Sequence, residues 1–276
     1  MYNVIQIGKR SFELTQKTYI MGILNVTLDS FSDGGRYNKV DQALFYVEKM
    51  LAQGCDIVDV GGESTRPGYT MVPIEVEIAR VVPVIEGIKK RFDVPISLDT
   101  YKYQVAVAGI QAGADMINDI WGLRYDEGQM ACVIAKAGVA CCLMHNRKDA
   151  IYQDFITDIL IDLKKSVKIA LEAGISSDKI ILDPGVGFAK NYEQNLEVLR
   201  NLKYFNTLEY PMLLGASRKS VIGQTLDLPP DQREEGTLVT TIQAVQAGWN
   251  FVRVHNVNSN ARAIKMKEAF FKKTLE

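Results

Sequence analysis

Apolar positions in this chain fall into short unbroken runs, separated by longer stretches in which they recur every three or four residues. Five times a helical segment ends in a small residue and a glycine, and an apolar run follows at once. These are "AQGCDIVDV" (52–60), "QAGADMINDI" (111–120), "KAGVACCLMH" (136–145), "EAGISSDKIILD" (172–183) and "QAGWNFVRVH" (246–255). Glycine takes the left-handed C-cap conformation cheaply, so it marks helix ends. An apolar run without alternation suits a strand covered on both faces. Three further runs, 19–26, 94–100 and 211–217, bring the set to eight. Amphipathic stretches lie between them, among them 39–53, 73–91 and 153–173. Strands alternating with helices imply right-handed βαβ units. Eight units predict a (β/α)8 TIM barrel, with a doubly wound open sheet as the structural rival. The first residues, "VIQIGKRSFEL" (4–14), alternate around Gly8 and Lys9 and predict a β-hairpin that caps the barrel bottom. No linker divides the chain. The expectation is a single domain over 1–276, with 1–18 as N-terminal hairpin and 19–276 as barrel.

Composition narrows the partners. Hydrophobic residues make up 47% of the 276 positions, charged residues 24%, and the net charge is −1. That balance gives no electrostatic case for nucleic acid or an anionic membrane. No apolar run approaches the roughly 18 residues of a membrane span, and the first residues do not read as a secretory signal. A cytoplasmic location is expected. The four cysteines, Cys55, Cys132, Cys141 and Cys142, contain no CxxC and are expected to be small buried hydrophobes. Two histidines, His145 and His255, do not make a multi-histidine metal site.

Ligands of a parallel barrel bind at the C-terminal strand ends. Here the ends carry Asn25; Asp59, Glu63, Thr65 and Arg66; Asp99; Asn118 and Asp119; Met144 and His145; Asp183; Ser217, Arg218, Lys219 and Ser220; and Arg253 and His255. Each polar group is costly to bury unpaired. Singly, Thr100, Asp119 or Asp183 could be a cap or turn residue; a whole ring of them points to a ligand. Asp99, Asn118 and Asp183 could present acceptors and an amide to a flat heterocycle with N–H groups, such as an amino-pyrimidinone. Lys219 and Arg253 add cations, and a guanidinium can stack on such a ring. Arg66, Arg253 and His255 could hold a phosphorylated leaving group. No nucleophilic triad or GxGxxG fingerprint is present, which suits transfer between two bound substrates.

The ordered motifs "NVTLDSFSDGG", "GGESTRPG", "SLDT", "INDI", "LMH", "LDPGVGF", "GASRKS" and "RVHN" span nearly the whole chain. Together they resemble the dihydropteroate synthase family of pterin-binding barrels, the folate-pathway sulfonamide targets. The resemblance implies condensation of 6-hydroxymethyl-7,8-dihydropterin pyrophosphate with 4-aminobenzoate, a Mg2+ requirement and a homodimer. It implies that Asp99, Asn118, Asp183 and Lys219 hold the pterin, that Arg253 stacks on it, and that Met144 and Phe188 line its pocket. Asn25, Arg66, Arg253 and His255 would bind pyrophosphate, and Asn25 and Asp33 would face the metal. Phe31, Thr65, Pro67, Phe188 and Ser220 would surround the aminobenzoate. Asp99, Arg66, Lys219, Arg253 and His255 would form the catalytic set. Under this resemblance Phe31, alone among small polar groups, would be a wall of the second substrate's site.

The chain departs from the family pattern at Leu28, where proline is usual, at Asn256, where aspartate is usual, and in "NRKDAI" after His145. None of these positions is a residue assigned to the chemistry. Two alternatives stand beside the synthase reading: a pterin-binding methyltransferase domain and a catalytically inactive pterin-binding barrel. His145 is expected to be a hydrogen-bonded barrel residue and His255 a site residue. Trp121 and Trp249 are expected to pack, and Asp59 and Glu63 to orient their neighbours. The helices at 235–247 and 258–272 are the candidate dimer face.

Overall fold

The structure, a computed structural model, describes residues 3–15, 17–26, 36–63 and 71–270. Strands β1 (Val4–Ile7) and β2 (Arg10–Glu13) form the predicted hairpin, with Ile7 opposite Arg10. Gly8 takes φ +58 in its turn, the left-handed region that a two-residue hairpin requires. Then follow β3 (Tyr19–Asn25), α1 (Arg36–Ala52), β4 (Ile57–Gly61), α2 (Ile74–Arg91), β5 (Ile96–Asp99), α3 (Tyr103–Ala112), β6 (Met116–Asp119), α4 (Gln129–Ala137), β7 (Ala140–Met144) and α5 (Phe155–Glu172). The last part holds β8 (Ile180–Asp183), α6 (Tyr192–Arg200), α7 (Leu202–Phe205), β9 (Leu213–Leu214), α8 (Ser220–Leu226), α9 (Glu234–Ala247), β10 (Phe251–Val254) and α10 (Val257–Ala269).

Among the described residues, eight parallel strands run in the order β8-β7-β6-β5-β4-β3-β10-β9. A parallel bridge between Leu182 and Met212 brings β8 beside β9, and Leu182 N donates to Pro211 O at 2.9 Å. The sheet therefore closes as the TIM barrel the sequence predicts. The run at 211–217 is regular strand for two residues only; beyond it, Gly215 and the left-handed Arg218 turn the chain toward the site. The helix expected at 39–53 begins three residues earlier, at Arg36. Gly113, Gly138 and Gly248 sit as left-handed C-caps, where the repeated punctuation put them.

The barrel strands are buried on both faces, which is why their sequences do not alternate. One cluster lies between strands and helices: Val58, Leu98, Ile117 and Leu143 pack with Val47, Ile85, Val105 and Leu163. A second fills the barrel interior: Met21, Ile57, Met116, Cys142, Ile181, Leu213 and Phe251 meet Ile5, Ile7 and Phe12 of the hairpin. The hairpin thus plugs the N-terminal end. Strand side chains alternate with a period of two, so the next inward position after Ile57 is Asp59, after Met116 Asn118, after Ile181 Asp183, and after Phe251 Arg253. Along these four strands the interior changes from apolar to polar within one step.

Cys55, Cys141 and Cys142 are buried, but Cys132 is exposed, because Met130, Ala131 and Ile134 occupy the inner face of α4. Trp249 packs as expected, its Nε1 donating to Leu202 O at 3.2 Å. No helix among the described residues is long and apolar enough to cross a membrane.

Candidate active site

A cavity of about 380 Å3 opens at the C-terminal ends of the barrel strands, within the size range of small-molecule sites. The strands deliver Asn25, Asp99, Asn118, Met144, Asp183 and Arg253 to its wall. The turn after β8 adds Phe188, the turn after β9 adds Lys219 and Ser220, and His255 follows β10. The described residues among those predicted from sequence are therefore brought to one place. Phe31, Asp33, Thr65, Arg66 and Pro67 lie outside the described residues.

Charge in the cavity is concentrated around Arg253. Its Nε donates to Asp59 Oδ2 at 2.6 Å and its Nη2 to Asp99 Oδ2 at 2.5 Å. Asp59 is fully buried and Asp99 nearly so. Burial pushes the Asp99 carboxyl up to about 7, and Asp59, sharing the same guanidinium, works in that direction against the pull of Arg253. The other Asp99 oxygen, Oδ1, is buried and has no hydrogen-bond partner among the described residues. An acceptor left so is expensive unless a ligand donor completes it. Asp183 accepts from Gly185 N at 2.7 Å through Oδ1, and burial raises its carboxyl to about 6. A Cβ on Gly215 would fall 3.2 Å from Asp183 Oδ2, so the glycine keeps room beside that oxygen.

The turn after β8 is tightly held. Gly185, Gly187 and Ala189 all take positive φ. A Cβ on Gly185 would come within 2.0 Å of His145 O, so no larger residue fits there. Half-buried Lys190 donates to Gly185 O at 3.0 Å and Phe188 O at 3.1 Å, and its Nζ lies 2.9 Å from His145 Nδ1. Burial lowers the Lys190 ammonium to about 7 and His145 to about 3, with Lys190 adding to the effect on the imidazole. His145 Nε2 faces Asp162 Oδ2 at 3.4 Å. His145 is thus the hydrogen-bonded barrel residue expected from sequence. Lys219 Nζ lies 4.0 Å from the centroid of the Phe188 ring, a cation–π distance. Ser217 Oγ accepts from His255 N at 3.2 Å and lies 3.0 Å from His255 Nδ1, which fixes the imidazole at the cavity wall.

Other polar strand-end residues have structural tasks. Asp119 accepts from Trp121 N at 2.9 Å and Leu123 N at 2.6 Å, so it shapes the turn after β6 rather than capping the next helix. Asn256 is the N-cap of α10, accepting from Ser259 N at 3.1 Å. Asparagine and aspartate serve almost equally there, so this departure leaves the helix start intact. Sequence reasoning left Lys102 without a role. Its Nζ donates to buried Glu63 Oε2 at 2.5 Å and buried Glu77 Oε2 at 2.6 Å, and to Val72 O at 2.6 Å. Lys190 lies two residues beyond "LDPGVGF" and carries no spacing signal of its own.

Comparisons with known proteins agree with this geometry. Residues 21–255 match the family described as pterin binding enzyme. A dihydropteroate synthase of Clostridium beijerinckii is 54% identical, covering 96% of this chain and 98% of that protein. A crystal structure of dihydropteroate synthase from Clostridium difficile in the presence of pteroic acid superposes with a TM-score of 0.91 at 49% identity, covering 94% of this chain and 98% of that one. The Yersinia pestis dihydropteroate synthase with a sulfonamide drug complex gives 0.90 at 40% identity, over 97% and 99%. With its barrel, its ring of strand-end acceptors and these relatives, the chain belongs to the dihydropteroate synthase family of pterin-binding enzymes.

Proposed function

We propose that the cavity works by dissociative loss of pyrophosphate. The reaction is that of the family: 6-hydroxymethyl-7,8-dihydropterin pyrophosphate and 4-aminobenzoate give 7,8-dihydropteroate and pyrophosphate. The observation that carries the reading is the convergence of Asp99, Asn118 and Asp183 on one cavity that also holds Lys219, Arg253 and His255. The unpartnered Asp99 Oδ1 and the open side of Asp183 accept N–H groups of the pterin, and the Asn118 amide supplies both a donor and an acceptor. Met144 and Phe188 cover the ring faces, and Lys219 reaches the ring from beside Phe188. Arg253, held by two carboxylates, presents its plane to the same space.

The C–O bond to pyrophosphate breaks first, and the leaving oxygen keeps the electron pair. Arg253, His255 and Arg66 stabilise the departing charge, while anionic Asp99 stabilises the pterin-methyl cation. The 4-aminobenzoate nitrogen then bonds to the methylene carbon and loses a proton. Phe31, Thr65, Pro67, Phe188 and Ser220 hold the arylamine. Mg2+ would be held by Asn25 and Asp33. The fit is chemical: amide and carboxylate oxygens suit a hard cation, and Asn25 lines the cavity. When bound, the ion would neutralise charge on the pyrophosphate oxygens.

A substrate carrying 18O in the bridging position tests the order of steps. Incubated with enzyme and Mg2+ but without 4-aminobenzoate, it should scramble label into non-bridging positions. Turnover with the arylamine but no scrambling without it would overturn the dissociative order.

The chain is further proposed to act in the cytoplasm, as a homodimer, on small molecules, and to be inhibited by sulfonamides at the aminobenzoate site. Three buried free thiols suit a reducing compartment. Helices α9 and α10 pack on each other and leave Val239, Met266 and Phe270 exposed beside a groove lined by Leu238, Arg262 and Ala263. A Met266→Glu variant should run as a monomer on size exclusion; an unchanged dimer would move the interface elsewhere.

A further inference from the structure

The turn that delivers Lys219 and Ser220 to the cavity is built around Arg218, a non-glycine residue at φ +57. A side chain is rarely found in that left-handed conformation unless its surroundings hold it there. Here both backbone polar groups of Arg218 are gripped from the start of α9. Its N–H donates to Thr237 Oγ1 at 3.1 Å. Its carbonyl accepts from Arg233 Nη1 at 3.1 Å. The same Nη1 lies 3.5 Å from Lys219 O, and Arg233 Nε donates to Leu228 O at 2.9 Å. Thr237 Oγ1 in turn donates to Arg233 O at 2.9 Å, so the two clamping residues are tied to each other.

Two glycines make room for this grip. A Cβ on Gly223 would fall 2.1 Å from Arg233 Nη2, so α8 leaves a slot for the guanidinium. A Cβ on Gly236 would fall 2.3 Å from Ile222 Cγ2, so α9 approaches α8 closely at the next turn. Arg233 borders the cavity, yet the contacts above turn it toward main-chain carbonyls. Downstream of Arg218, the Lys219 stem packs where a Cβ on Gly187 would lie 2.9 Å from its Cδ, and its ammonium sits over Phe188.

We propose that Arg233 and Thr237 are positioning residues for the transfer reaction. They hold Arg218 in the left-handed conformation and so set where Lys219 and Ser220 stand against the second substrate. The proposal rests on reading the cavity as the dihydropteroate synthase site, with the arylamine lying beside Ser220. Arg233 acts through main-chain carbonyls, so charge alone is not enough. Lysine lacks the fork that reaches two acceptors at once.

The experiment compares wild type with Arg233→Met, Arg233→Lys, Thr237→Val and Gly223→Ala. Steady-state kinetics are measured against each substrate, and amide hydrogen exchange is followed over 218–223. Arg233→Met should raise KM for 4-aminobenzoate about tenfold or more, while KM for the pterin substrate moves less than about threefold. Arg233→Lys should recover only part of this. Gly223→Ala leaves every hydrogen-bonding group in place but collides with the guanidinium, and should reproduce the pattern. Exchange at 218–223 should quicken in the same variants while that of β8 stays unchanged. Equal rises in both KM values, full recovery with lysine, or unchanged exchange at 218–223 would overturn the clamp. Should Arg233→Met fail to fold, Thr237→Val and Gly223→Ala carry the same test. Because exchange needs no substrate, failure of wild type to turn over would refute the site reading while the clamp is still judged.

Discussion

Replacing Asp183 with asparagine should make the unliganded protein more stable while weakening pterin binding. Asp183 is 5% exposed, and burial moves its carboxyl from an ordinary 3.8 to about 6. At about 1.4 kcal/mol per pH unit, holding it ionised at neutral pH costs the folded state about 3 kcal/mol. The folded value lies above the unfolded one. Stability from the bound proton is therefore complete below about pH 4 and lost as pH rises through about 6. Asparagine can still accept from Gly185 N, the 2.7 Å bond, without carrying that charge. The gain should be near zero at pH 4 and approach about 3 kcal/mol above pH 7, roughly 5 °C in Tm for a chain of this size. Binding moves the other way. The amide must turn its NH2 toward the pterin N–H groups, replacing charge-assisted bonds worth about 1.5–3 kcal/mol each with donor facing donor. Affinity for a dihydropterin should drop about a hundredfold or more. Thermal unfolding at pH 5 and 7.5, with calorimetric titration of the pterin, reads both. A variant less stable than wild type at pH 7.5, or one that keeps pterin affinity within about threefold, would refute the reasoning.

Lys102→Met strands the buried carboxylates of Glu63 and Glu77 and should destabilise the protein by about 3–5 kcal/mol at neutral pH in urea titration. Phe12→Ala opens the plug under the barrel and should cost about 3–5 kcal/mol without changing KM for either substrate. Because Asp99 and Asp183 accept pterin N–H groups only when ionised, kcat/KM for the pterin substrate should fall as pH drops through about 7 and then about 6; Asp183→Asn should remove the lower inflection from the pH–rate profile. Lys190→Met frees the carbonyls of Gly185 and Phe188 and should weaken dihydropterin binding about tenfold in titration calorimetry.

The barrel was legible because five of its eight units repeat the same punctuation, an amphipathic helix, a glycine cap and a run apolar on both faces, and three further apolar runs complete the count. The strand-end ring was legible because a polar residue closing an apolar run needs a partner, and eight such ends need a common one. Asp59 was seen as an orienting residue, but its hold on Arg253 joins positions 194 residues apart, which no local pattern reports. The same is true of Lys102, whose partners come from the loop after β4 and from α2. Arg233 lies in a polar stretch between two helices, where an arginine reads as surface; only the slot at Gly223 gives it a place. Cys132 was misjudged because helical position, not residue type, decides which side of α4 faces water. The short pairing of β9 escaped notice because Pro211, Met212 and Gly215 frame an apolar run like those of the longer strands.

The most direct measurement is pyrophosphate release by the purified protein given dihydropterin pyrophosphate, Mg2+ and 4-aminobenzoate, with each omitted in turn and dihydropteroate assayed in parallel. Release that needs all three and matches dihydropteroate mole for mole is the result expected. Tight pterin binding with neither release nor dihydropteroate would contradict the account.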